Sequence, residues 1–78
     1  MITLTFYAAL KDHFPASMAV GEPLSDVRSL RTYLTDKKLT ASTLLAQCRF
    51  AVADTFVDDG YTLRDGDVVL VIPPSSGG

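Results

Sequence analysis

Asp65-Gly66-Asp67-Val68-Val69-Leu70-Val71-Ile72-Pro73-Pro74-Ser75-Ser76-Gly77-Gly78 ends the sequence and organises everything before it. Asp-Gly-Asp is turn chemistry, with Gly66 suited to a positive φ that a side chain would oppose. The unbroken apolar run after it reads as a strand. Proline fixes φ and has no amide hydrogen, so Pro73 and Pro74 cannot extend a ladder and stiffen the departing chain. Ser75 to Gly78 carry no apolar bulk with which to fold back, which predicts a mobile tail over 73–78 and a folded domain over 1–72. Extended, six residues reach roughly 20 Å past the strand, enough to enter another protein's active site. Gly77 and Gly78 lack a Cβ, so they suit a narrow channel and leave the terminal carbonyl open to attack.

Working outward, Ile2, Leu4 and Phe6 alternate with Thr3, Thr5 and Tyr7, a strand with one apolar face. Ala8 to Phe14 predicts a short helical turn ended by Pro15, returning Leu10 and Phe14 to the core. Ser17 to Val20 reads as a second strand hairpinned to the first, broken at Gly21-Glu22-Pro23. A main helix follows, with Ser25 expected as N-cap and Asp26 in its first turn. Val27, Leu30 and Leu34 form its apolar stripe, while Arg28, Arg31 and Thr35 are expected to face water. Ala41 to Gln47 suggests a second short helix capped by Thr40 or Ser42. Arg49 to Val57 reads as one further strand, and Asp58-Asp59-Gly60 as a turn.

The last strand is apolar on both sides, Val68, Leu70 and Ile72 against Val69 and Val71, yet only one helix is long enough to cover a face. Tyr7, and with it Phe56, is expected on the uncovered side, which suggests a docking surface beside the tail.

Seventy-eight residues hold one modest core. A content of 47% hydrophobic and 21% charged residues is that of a globular domain, and a net charge of −2 without a basic stripe argues against nucleic acid. No apolar run approaches the length of a membrane span, and no export leader is visible. The single Cys48 has no disulfide partner, which suits a reducing cytoplasm, and its apolar neighbours suggest a packed small hydrophobe. His13 has no catalytic partner in the pattern. Asp54, Asp58, Asp59, Asp65 and Asp67 lack the ligand spacing of a calcium loop, so no metal site is expected.

The terminal Asp-Gly-Asp, apolar strand and Pro-Pro-Ser-Ser-Gly-Gly resemble the small subunit of molybdopterin synthase, a ubiquitin-like sulfur carrier. Met1-Ile2-Thr3-Leu4-Thr5-Phe6-Tyr7-Ala8 resembles that family's first strand, so the likeness spans the whole chain. A departure stands at Ala53, where the family commonly has asparagine. The element order allows an α+β fold, and the resemblance implies the β-grasp: a mixed sheet of four to five strands, with first and last strands parallel at the centre, one main helix and short helical turns.

Functionally, the resemblance implies a sulfur-donor subunit with no bound cofactor. An E1-like adenylyltransferase uses ATP to activate Gly78, and a sulfur donor protein converts it to a thiocarboxylate. The tail then delivers sulfur to cyclic pyranopterin monophosphate inside the large subunit, which holds the catalytic residues. Gly78 carries the sulfur, Gly77 gives clearance, Pro73, Pro74, Ser75 and Ser76 form the stiff lead, and Tyr7, Phe56 and Ile72 contact the large subunit. The chain itself shows no catalytic constellation. A carrier for thiazole or cysteine synthesis, a modifier conjugated to lysines, and a plain interaction module remain open.

Overall fold

The alternation along the first strand separates Ile2, Leu4 and Phe6, all buried, from half-buried Thr3 and Thr5, as period-two geometry requires. A computed structural model describes residues 1–74. It contains five strands in one sheet: β1 (Ile2–Phe6), β2 (Ser17–Val20), β3 (Arg49–Val52), β4 (Thr55–Val57) and β5 (Val68–Ile72). The order is β2-β1-β5-β3-β4. β1 and β5 run parallel at the centre, with Leu4 opposite Val69 and Phe6 opposite Val71, while the other neighbours pair antiparallel. This is the β-grasp arrangement.

Helix α1 (Val27–Lys37) covers one face and buries Val27, Leu30 and Leu34 completely. Asp26, not Ser25, is its N-cap: the carboxylate accepts from the Ser29 amide at 2.8 Å, which holds its pKa below the usual value. The neighbouring donors are also satisfied, Val27 N–H by the Tyr61 carbonyl and Arg28 N–H by that of Asp59, so the loop after β4 completes the helix start. Arg31, expected to face water, is instead half-buried. Its guanidinium donates to the carbonyls of Leu45 and Cys48 and to Asp59, and lies 4.7 Å from the Phe50 ring centroid. It thereby ties α1 to the end of helix α2 (Ser42–Gln47) and to the loop ahead of β5.

A 3-10 turn, Ala8–Asp12, buries Leu10, and Phe14 stacks on Phe6 with centroids 4.6 Å apart. A second 3-10 turn, Leu39–Ala41, leads into α2, whose N-cap is Ala41 without a side-chain bond; neither Thr40 nor Ser42 caps it. Cys48 is buried, its Sγ 3.2 Å from the Leu44 carbonyl, and desolvation raises its thiol pKa while nearby Arg31 opposes the shift. The single strand expected over 49–57 is instead a hairpin. Val52 pairs with Thr55, and Ala53 and Asp54 between them hold φ of 51° and 64°, the left-handed pair that a tight two-residue turn demands. Gly66 takes φ 91° ahead of β5. Among the described residues no helix is long and apolar enough to cross a membrane.

Candidate functional site: the open sheet face and the exit of β5

β5 divides its five apolar side chains between two environments. Val69 and Val71 are fully buried under α1, whereas Val68 is 51% exposed and Leu70 and Ile72 are half-buried on the opposite face. Parallel register sets Thr3 and Thr5 beside Val68 and Leu70. Tyr7 follows Phe6 in extended geometry, φ −125° and ψ 154°, so its side chain leaves on the face opposite Phe6 at the level of Ile72. On the other flank Arg49 pairs with Ile72, Ala51 with Leu70, and Phe56 with Ala51. Tyr7, Ile72 and Phe56 therefore occupy one face, although they come from opposite ends of the chain.

Five large apolar side chains are exposed among the described residues, and three of them, Tyr7, Phe56 and Val68, lie on this face. Concentration on one face, not exposure itself, marks a docking surface, since isolated exposed apolar residues are ordinary. The face borders the exit of the chain. β5 ends at Ile72, Pro73 is half-buried and Pro74 is exposed. Ser75, Ser76, Gly77 and Gly78, to which the sequence assigns the carrier tail, lie outside the described residues.

Sequence reasoning missed Arg49. Its guanidinium lies 4.0 Å from the centroid of the Phe56 ring, placing a cation beside the apolar residues of this face. The signal was its odd position in a strand that alternates Phe50 and Val52 inward, which puts Arg49 and Ala51 outward. Only knowledge that Phe56 returns on a neighbouring strand links the two.

Two acidic residues of the final third bond within turns, and Asp59 pairs with the helix. Asp58 accepts from Gly60 N–H, Asp67 from Arg64 N–H, and Asp59 from Arg31.

A model of the ThiS family matches residues 5–78. The fold is similar to a Pyrococcus furiosus structure assigned as molybdopterin converting factor subunit 1, at 21% identity and a TM-score of 0.81, over 95% of this chain and 97% of that one. SAMP1 from Haloferax volcanii is similar at 16% identity and TM-score 0.79, over 99% and 98% of the two chains. A chain in the complex of subunits 1 and 2 of the molybdopterin-converting factor from Helicobacter pylori shares 27% identity at TM-score 0.72, over 99% and 97%. No curated protein sequence matches the chain.

Proposed function

The chain belongs to the ThiS family, and on that premise we propose that it is a sulfur carrier, the small subunit of molybdopterin synthase, with the Gly78 carboxylate as its working group. The observation that carries this reading is the junction at Ile72. A strand anchored at the sheet centre by Val69 and Val71 leads directly into Pro73-Pro74 at the rim of an apolar face, and the sequence then continues Ser-Ser-Gly-Gly.

The chemistry follows from the electrophile. A carboxylate resists attack because its charge is delocalised over both oxygens. An E1-like adenylyltransferase couples Gly78 to the α-phosphate of ATP, releasing pyrophosphate, and the mixed anhydride becomes attackable. The outer sulfur of a donor-protein persulfide adds to that carbonyl and AMP leaves, giving an acyl disulfide; a thiol then reduces the S–S bond, freeing the donor and leaving a thiocarboxylate on Gly78. Tyr7, Phe56 and Ile72 dock the scaffold on the large subunit, while Pro73 to Gly77 present the sulfur to cyclic pyranopterin monophosphate. The large subunit supplies acid, base and substrate contacts. The carrier holds no cofactor, and ATP is spent by the activating enzyme, in the cytoplasm.

A second reading is a carrier for thiazole synthesis, with the same terminal chemistry and a different acceptor. Intact-mass measurement after incubation with ATP, an activating enzyme and a sulfur source tests the shared step. The expected result is a gain of about 16 Da, oxygen replaced by sulfur at the carbonyl, abolished by deleting Gly78 and retained in Cys48→Ala. A Gly78-deleted chain that still gains sulfur refutes the assignment. Sulfur transfer to cyclic pyranopterin monophosphate by the modified protein with a large subunit then separates the molybdopterin pathway from the thiazole one. Isopeptide adducts on other proteins mark a modifier.

A further inference from the structure

Arg49 is the one charged residue among the strand positions of the open face, whose other members are Thr3, Thr5, Ser17, Ala19, Ala51, Phe56, Val68, Leu70 and Ile72. It stands opposite Ile72, the last strand residue before Pro73. Its guanidinium carbon lies over the Phe56 ring, 4.0 Å from the centroid. That cation–π contact holds the group beside the ring, and none of its five N–H donors has a hydrogen-bond acceptor among the described residues. Among the described residues the guanidinium makes no hydrogen bond and no ion pair, in contrast to Arg31, whose donors are bound to two carbonyls and Asp59.

A protein seated over Tyr7, Phe56 and Ile72 also removes Arg49 from water, because Arg49 stands beside Ile72 and against the Phe56 ring. A buried guanidinium without an opposite charge is strongly unfavourable, whereas a carboxylate meets its fork with two parallel hydrogen bonds. The carrier's own terminus cannot supply that charge during transfer: Gly78 lies six residues beyond Ile72, roughly 20 Å away when the tail is extended into an active site. A second copy of the chain facing the same surface presents Arg49 rather than a carboxylate.

We infer that Arg49 is a specificity-determining residue of the open face, and that the sulfur-accepting partner docking there presents a carboxylate to its guanidinium beside an apolar patch that receives Tyr7, Phe56 and Ile72. The inference rests on the carrier function proposed above and adds a charge requirement to it. A partner with a purely apolar surface at this position is rejected, because it strands the cation.

The test is calorimetric binding of the full chain to subunit 2 of the molybdopterin-converting factor from the same organism, at low and high salt, with wild type, Arg49→Met and Arg49→Lys. Arg49→Met keeps the stem and removes the charge. The expected result is at least about a thirtyfold loss of affinity for Arg49→Met, an intermediate loss for Arg49→Lys, and weaker salt dependence for Arg49→Met. Thermal melting of all three is expected to coincide, since Arg49 is exposed in the free chain. Reversal to lysine of one acidic residue on the partner's surface is expected to restore binding of Arg49→Glu. Equal affinity and equal salt dependence of wild type and Arg49→Met overturn the inference and leave the carrier function standing. Absence of wild-type binding, with the mass gain at Gly78 intact, overturns both the inference and the choice of partner.

Discussion

The two faces of the sheet are built from the same strands and, in β5, from the same five-residue apolar run, yet they do different work. On the covered face Val69 and Val71 meet α1 and are fully buried together with Leu4, Leu30 and Leu34. On the open face Val68, Leu70 and Ile72 meet no helix, and the aromatic rings of Tyr7 and Phe56 are exposed beside them. Burial against a close-packed helix converts apolar area into stability. The same residue types without a cover instead supply area that a partner can desolvate. Hydrophobicity along the run is therefore shared between folding and recognition, with alternate side chains assigned to each.

Substitution separates the two faces most sharply at the covered one. Leu30→Ala is expected to destabilise the fold by about 2–5 kcal/mol, through lost transfer energy and the cavity left between α1 and the sheet. Chemical denaturation measures it, and a loss under about 1 kcal/mol would show that the helix packs loosely enough to collapse onto the gap. Tyr7→Asp and Phe56→Asp are expected to reverse the pattern: binding to the large subunit weakens by at least about tenfold, while stability changes by less than about 1 kcal/mol. Equal losses in both measurements would make these rings part of the core and erase the distinction between faces. The smallest effect belongs to the turn that brings Phe56 onto the open face. Ala53 pays for its φ of 51° about 1–2 kcal/mol, of which glycine's unfolded-state entropy takes back about 0.5–1, so Ala53→Gly is expected to stabilise by at most about 1.5 kcal/mol without altering binding.

Much of this was legible in the chain. The period of two in Ile2–Phe6, the i, i+3, i+7 stripe of Val27, Leu30 and Leu34, and the turn at Gly66 all appear where local chemistry places them. The failures have a common cause. Arg49–Val57 read as one strand because Ala53-Asp54 carries neither glycine nor asparagine, the residues that take left-handed φ at least cost. The turn is imposed by pairing of Val52 with Thr55. Ser25 was expected to cap the helix with Asp26 in its first turn, and the start falls one residue later, where a loop some thirty-five residues on meets it. Arg31 fell on the polar side of a helical wheel, and its hydrogen bonds depend on α2 and Asp59 lying beside it.

What the sequence determined alone is whatever depends on near neighbours: strand and helix periodicities, the proline stop after Ile72, and the slender Ser-Ser-Gly-Gly ending with its resemblance to sulfur carriers. Tertiary structure alone decided which side of β5 is covered. Val68 and Val69 are chemically identical until α1 lies against one of them, and only the register of strands distant in sequence sets Arg49 across from Ile72 and against the ring of Phe56.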